Sequence, residues 1–192
     1  MAKRYEFKPD KPRSGVMSKL FLTRLQRRSV LKWGLYALLL LILSVVQDVL
    51  LCRVRLFGAT TELVPVAIFL ICLAEGGENG SVFSLVASCL YLFSGTAAGH
   101  FSIVLITGLA VAVTLFRQSY LQKGFVAAML CVAFAVLAYE MAVFFLGLFL
   151  GMTTWGRVES HFLTGVYSLV FAPVFYVIVR GISAIHAQAE GS

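Results

Sequence analysis

A glycine-rich hexamer, EGGENG from Glu75 to Gly80, is the stretch whose residue types most readily suggest chemistry. Glycine-rich loops can cradle phosphate groups, but a phosphate-binding loop follows a strand and ends in Gly-Lys-Ser/Thr. This hexamer instead lies between two apolar runs and contains no lysine. Its glycines let the backbone reverse direction within a few residues, so we interpret it as a tight turn. Its glutamates and Asn79 are expected to keep it in water, with Asn79 as a candidate helix cap. We call it the inner turn, because the orientation predicted below places it on the inner side of the membrane. The residues assigned to it are Glu75, Gly76 and Gly80.

Ionisable residues inside apolar runs are the second candidates for chemistry. Glu140 lies about sixteen residues into an apolar segment, and a carboxyl group at that depth is costly enough to suggest a function. Two interpretations stay open for the cluster it belongs to. It is either a polar pocket that binds a ligand or a structural hydrogen-bond network, for example between Glu140 and His100 or Arg157. We call this group the outer-side polar cluster, because the orientation predicted below places it towards the outer face of the membrane. Its residues are Gln47, Asp48, His100 and Glu140, and His161 lies on the same side.

Enzymatic and metal motifs do not occur in the chain. There is no HExxH, no GxSxG and no pair of aspartates on facing segments, which hydrolysis within a membrane would need in some form. The four cysteines lie in or beside apolar runs without CxxC spacing, as is typical of small buried hydrophobes, with a disulfide or metal site as the alternative. We therefore expect a protein that is not an enzyme, with no catalytic residue, no cofactor and no metal.

The elements that position these residues follow from composition. Of the 192 residues, 60% are hydrophobic and 13% are charged, against about 45–50% and about 25% in soluble domains. Such a chain is typical of a multi-pass membrane protein, and a bilayer favours helices. We predict an all-α membrane protein with six transmembrane helices. The segments are 31–52, 62–75, 80–94, 99–117, 124–151 and 162–184.

The basic residues predict the orientation. Ten of the sixteen lysines and arginines precede the first apolar run. With the N-terminus inside, thirteen lie on the cytoplasmic side and three outside, as the positive-inside rule favours. Both termini are then cytoplasmic. The expected parts are a basic tail (1–30), a six-helix transmembrane domain (31–184) and a short tail (185–192).

The basic tail is also a candidate membrane-binding element. Met17, Leu20, Phe21 and Leu25 share one helical face, and basic residues lie largely off it, which is the pattern of an interfacial helix. It either lies on anionic lipid as a topology determinant or docks a protein. Nucleic acid is not expected, because these cations adjoin a membrane span. The residues assigned to this surface are Lys19, Arg24, Arg27, Arg28 and Lys32.

Segments 62–75 and 80–94 are too short to cross a bilayer unaided. Thirteen residues span about 20 Å, against a hydrocarbon core of about 30 Å. Either neighbouring helices shield their ends, or the two form a re-entrant hairpin. Small residues Gly80, Ser84 and Ser88 recur at intervals of four, which permits close helix packing, either within the chain or with a partner.

Several short stretches together resemble the MreD family, the small multi-pass subunit of the bacterial rod-shape machinery. They are Gln47, RLFG (55–58) before Thr-Glu-Leu, LAEG (73–76), Tyr139-Glu140, and FAPVFYVIVR (171–180) with Pro173, Tyr176 and Arg180. The similarity covers about residues 31–184. The chain departs from the family where Ser84 and Ser88 replace glycines of the third helix and where a following aspartate is missing.

The resemblance implies a non-enzymatic scaffold in the bacterial cytoplasmic membrane that supports peptidoglycan synthesis and cell shape. It implies MreC as direct partner and, through MreC, the glycosyltransferase RodA, a class B penicillin-binding protein and MreB, with membrane lipids around it. It also implies an architecture similar to the six-helix substrate-binding subunits of energy-coupling-factor transporters, so a vitamin carrier is the alternative. Those subunits dock through Ala-xxx-Ala on the first helix, whereas here Ala37 is followed by Leu41.

Overall fold

The regular structure of this protein is helical. The computed structural model describes residues 24–49, 51–53, 59–95, 97–120 and 124–190. Every regular element in that part of the chain is a helix, so the prediction of an all-helical fold is confirmed there. Two single 3-10 turns occur among these residues, at Leu51–Arg53 and Trp155–Arg157. The helices are α1 (Arg24–Val49), α2 (Leu63–Glu75), α3 (Gly77–Phe93), α4 (Phe101–Tyr120), α5 (Phe125–Phe149), α6 (Val158–Val170) and α7 (Ala172–Glu190).

The short helix α2 is the centre of the bundle. Every side chain from Leu63 to Leu73 is buried, and α2 contacts each of the other six helices. A helix that is apolar all round is stable only where other elements surround it. The sequence LVPVAIFLICLA meets that condition, because it has no polar side to turn towards water. The other helices therefore enclose α2, and its two ends are where polar groups collect.

In the part of the chain that the structure describes, two helices are long and apolar enough to cross a membrane, Ser29–Val49 within α1 and Phe125–Phe149. A third span results if α6 and α7 count as one, although they are bent by 47°. The bend has a local cause in Pro173, which has no N–H for the carbonyl of Leu169 and whose ring crowds that carbonyl. The helices Leu63–Glu75 and Phe101–Arg117 are apolar but shorter.

The turn between α2 and α3 is tighter than the sequence suggests. It consists of Gly76 alone, with φ +66° there and +54° at Gly77. Because α3 already begins at Gly77, Asn79 lies inside its first turn and is not its cap. Glu75 is half-buried and hydrogen-bonded to other side chains, so the expectation that it faces water was wrong.

The stripe of small residues on α3 faces the inside of this chain. Gly80, Ser84 and Ser88 are all buried. A Cβ atom at Gly80 would lie 3.1 Å from the backbone oxygen of Cys72 on α2. Ser88 shares a 3.2 Å hydrogen bond with Thr107 on α4. The stripe therefore serves close packing of α3 against α2 and α4 within the chain.

The basic surface predicted for the N-terminus is described only in part. Lys19 and the interfacial pattern up to Phe21 lie outside the described residues. Arg24, Arg27 and Arg28 belong to the first turns of α1, and their side chains are also outside the described part. Lys32 is 7% exposed and pairs with Glu75, so it contributes to the interior instead of the membrane surface.

Candidate functional site

Gln47 of α1 caps the first end of α2, here called the Glu62 end. Its Oε1 accepts hydrogen bonds from the backbone N–H groups of Leu63 at 2.8 Å and Val64 at 3.2 Å. The first N–H groups of a helix have no partner within that helix and must be satisfied from outside. The residue that precedes α2, Glu62, makes no side-chain cap. A side chain from a different helix therefore performs the capping, which fixes α1 against α2.

Glu62 connects two further elements at this end. Its carboxylate Oε2 accepts a hydrogen bond from the Tyr91 hydroxyl on α3 at 3.1 Å. Its backbone N–H donates to Ser168 Oγ on α6 at 2.8 Å. Gln47 Nε2 also lies 3.5 Å from the Tyr91 hydroxyl. One continuous network of polar groups thus links α1, α3 and α6 to the start of α2.

Glu140 of α5 lies beside this network and has its own partner. The carboxylate Oε2 is 3.6 Å from His161 Nδ1 on α6, and the side chain is 2% exposed. Its other oxygen, Oε1, is buried without a hydrogen-bond partner among the described residues. Gly165 lets α6 approach α5 closely here, since a Cβ atom there would lie 3.0 Å from Leu137 Cδ2 and 3.4 Å from Glu140 Cγ. A buried, incompletely bonded carboxyl group is costly, so the packing of α5 against α6 must offset it.

Two residues predicted for the outer-side polar cluster are placed differently. His100 is exposed just before α4. Asp48 is half-buried and lines a groove of about 670 Å³ between α1 and α3, together with Tyr91. Arg157, the other suggested partner of Glu140, is exposed in the 3-10 turn before α6. The structure therefore brings Gln47 and Glu140 to one end of α2 but joins Glu140 to His161.

The charge state of Glu62 is altered by its surroundings at this end. It lies in the stretch 59–62, before α2 begins. Burial raises the pKa of Glu62, and the negative charge of Glu140 raises it further, to about 8. The hydrogen bond from Tyr91 opposes that change. At neutral pH, the carboxyl group of Glu62 is therefore largely protonated and can act as both donor and acceptor in the network.

The opposite end of α2, here called the Glu75 end, carries an ion pair. Lys32 Nζ donates to Glu75 Oε2 at 2.5 Å, and the Tyr36 hydroxyl donates to Oε1 at 2.7 Å. Arg117 at the end of α4 donates to the Leu73 carbonyl. The last carbonyls of a helix lack partners and carry its negative dipole end, so Arg117 satisfies one and opposes that charge.

The C-terminal motif also reaches this end. Tyr176 packs edge-on against Phe125 with ring centroids 5.0 Å apart. Arg180 is exposed, and Pro173 lies at the exposed start of α7. With Arg117 and Ser183, Tyr176 and Arg180 line a cavity of about 220 Å³ between α2, α4, α5 and α7.

Sequence reasoning missed part of the site. Glu62 precedes an apolar run, and Arg117 follows one. A charged residue in such a position is ordinarily taken to mark the end of an apolar segment. Tyr91 and Ser168 are uncharged and lie within such runs. The available signal was Glu62 beside Leu63, because an acidic residue directly before a buried helix needs a partner. Gly165 carried no signal, since its role depends on which residue of α5 faces it.

Comparisons with protein-family models, with curated proteins and with solved structures found no match for this chain. Among the described residues, no group of three or more His, Cys, Asp or Glu side chains could hold a metal ion. At the two ends of α2, polar side chains form hydrogen bonds and ion pairs with the backbone and side chains of neighbouring helices. Their clearest capacity is to hold seven helices in a single arrangement.

Proposed function

We propose that this protein is a non-enzymatic membrane scaffold of the bacterial rod-shape machinery, similar to the MreD family. Its direct partner is a bitopic protein of the MreC type, which links it to RodA, a class B penicillin-binding protein and MreB. In this role the chain supports cell-wall elongation by presenting a fixed arrangement of helices to its partners.

The observation that carries this proposal is the convergence of the residues behind the resemblance. Gln47 caps the Thr-Glu-Leu stretch through Leu63. At the other end, Leu73 and Ala74 of LAEG line the same cavity as Tyr176 and Arg180. These stretches are far apart in sequence and meet at the two ends of α2, as the parts of one structural unit would. Their contact supports a common structural unit and thus kinship with the family.

The proposal includes six membrane crossings with both termini inside. It is supported by α2, whose 13 residues are enclosed by neighbours, as a short crossing requires. It is supported by the positions of the charges as well. Lys32, Arg117 and Arg180 belong to the Glu75 end, which is the cytoplasmic end in this arrangement.

The vitamin-carrier alternative has less support. Its docking surface requires small residues on the first helix so that an energising subunit can approach closely. Leu41, at the second position of that pattern, is 62% exposed and would hold a partner helix away. A close contact of the Ala-xxx-Ala type is therefore blocked by a leucine side chain.

Affinity purification of the tagged full chain from membranes of its native host tests this function. We expect an MreC-type protein to co-purify, and depletion of the chain to produce rounded cells. A photo-crosslinking residue in place of Leu41 on α1, compared with one in place of Phe134 on α5, would identify the face that the partner contacts; both positions are exposed. Recovery of a bound vitamin together with an energising subunit, and normal rod shape on depletion, would contradict the proposal.

A further inference from the structure

The cavity at the Glu75 end has the composition of an anion-binding site. It measures about 220 Å³, far above the roughly 10–15 Å³ that accommodates one water molecule. Two guanidinium groups line it, those of Arg117 and Arg180, together with the polar side chains of Tyr176 and Ser183. Four helices contribute to its wall, so the groups are held from several directions.

Among the described residues that line this wall, none carries a carboxylate to pair with the two arginines. A guanidinium group has five N–H donors, and Arg117 uses one of its nitrogens on the Leu73 carbonyl. Among the described residues, neither arginine forms an ion pair with a carboxylate. Glu75, at the same end of α2, is held by Lys32 and Tyr36 on the side of α1 and does not line the cavity.

The start of α5 adds to the positive potential of this wall. Gly124 lines the cavity and precedes α5, and as a glycine it has no side chain with which to cap this helix end. The first N–H groups of a helix lack internal partners and carry its positive dipole end. This helix end strengthens a site that the two arginines already define.

We propose that this cavity binds a phosphate-bearing anion, with Arg117 and Arg180 as the groups that hold it. Arginine matches phosphate geometry with paired hydrogen bonds. Basic pockets between membrane helices on the cytoplasmic side suit the head groups of anionic lipids. A lipid phosphodiester and free phosphate present the same chemistry, so the experiment must separate them. The site stands whether or not the chain is a scaffold subunit.

Thermal unfolding of the purified full chain in neutral detergent tests the site. The additions are phosphatidylglycerol in mixed micelles, phosphatidylcholine in the same amounts, and inorganic phosphate against chloride at equal ionic strength. We expect phosphatidylglycerol to raise the Tm in a saturable way and phosphatidylcholine to leave it unchanged. Arg180→Gln is the informative variant, because Arg180 is exposed and its replacement leaves the Leu73 contact intact.

Arg157→Gln is the matched control, since Arg157 is also exposed but belongs to the turn before α6. Arg180→Gln should require about tenfold more phosphatidylglycerol for half of the stabilisation, as loss of a charge-assisted hydrogen bond implies. Stabilisation by the lipid alone assigns the site to a lipid head group, and stabilisation by phosphate as well assigns it to the phosphate group itself. Equal effects of the two lipids, or equal losses in the two variants, would overturn the proposal.

Discussion

At the scale of single residues, the structure turns on polar side chains that bond across helices. Gln47 caps α2 from α1, Glu62 joins α3 and α6, and Glu140 faces His161. Between membrane helices the surrounding lipid is as apolar as leucine, so packing and hydrogen bonds hold the helices together. The few polar residues that bond across helices therefore contribute strongly to holding the helices together.

The charge state of Glu62 gives a pH-dependent prediction. Its folded-state pKa of about 8 exceeds the ordinary 4.5, so the folded chain keeps a proton that the unfolded chain releases. Stability from this group is complete below about pH 4.5 and is lost as the pH rises towards 8. The slope cannot exceed about 1.4 kcal/mol per pH unit. Unfolding of wild type and Glu62→Gln between pH 5 and 8 should show a steeper decline for wild type, and parallel curves would contradict the assigned pKa.

Glu140 gives a prediction that separates shape from charge. Glu140→Gln keeps the side-chain volume and most of its hydrogen-bonding capacity, so stability should change by less than about 1 kcal/mol. Glu140→Ala leaves a cavity between α5 and α6 and should cost about 2–4 kcal/mol. Thermal unfolding in detergent measures both. Glu159→Ala, at an exposed position of α6, is the control and should stay near wild type. If Glu140→Ala also behaves like wild type, the buried position of Glu140 has no structural importance.

At the scale of elements, the central position of α2 sets the demands on its neighbours. Where α3 crosses α2, its buried face must carry a very small residue so that the two backbones can approach closely. Gly80 is that residue. The bend at Phe171 lies next to Ser168, whose hydroxyl donates to the Thr164 carbonyl at 2.7 Å and accepts the Glu62 N–H. A serine bonded back to its own helix and a following proline both favour bending.

A comparison of two helical glycines tests the close packing of α3. A Cβ atom at Gly80 would lie 3.3 Å from Cys72 Cα and 3.1 Å from its carbonyl oxygen, both backbone atoms. Gly181 of α7 has no atom within 4 Å of such a position. Gly80→Ala should therefore destabilise the protein by about 1–3 kcal/mol, while Gly181→Ala should be neutral or stabilise it by up to about 1 kcal/mol. Equal Tm changes in the two variants would show that α3 has room to move.

At the scale of the whole molecule, the two ends of α2 differ in charge. The Glu75 end carries Arg117 and Arg180 beside the Lys32–Glu75 ion pair, whereas the Glu62 end carries Glu62, Glu140 and His161. The distribution of basic residues along the sequence also predicts that this basic end is the cytoplasmic one. It predicts that the Glu75 end lies at the cytoplasmic surface.

Cysteine labelling of intact cells tests this orientation. In a chain whose own cysteines are replaced, we would introduce single cysteines at His100 and at Glu78, which are both exposed and belong to opposite ends of the bundle. A reagent that does not cross membranes should label position 100 in intact cells and position 78 only after permeabilisation. The reverse pattern would place the Glu75 end outside and contradict the proposed topology.

The sequence by itself determined the class of the protein and the positions of most helices. Its composition favoured a membrane protein, and its polar breaks placed the four middle helices to within a few residues. The predicted segment 162–184 is two helices, α6 and α7, and α1 begins seven residues before the predicted segment 31–52. It also selected Gln47, Glu140 and the small residues of α3 as structurally important. These inferences depend on local composition. Because unpaired polar groups are costly in a bilayer, apolar and polar stretches of the sequence indicate which residues lie in it.

Only the tertiary structure decided which residues meet. Apolarity cannot tell a lipid-facing helix from a buried one, because lipid and protein interior are both apolar. The central place of α2 was therefore hidden, and so was the need for Gly165. For the same reason, Lys32 resembled a surface residue until Glu75 was found beside it. Pairing depends on how whole helices are rotated and stacked, and that arrangement is a property of the assembled bundle.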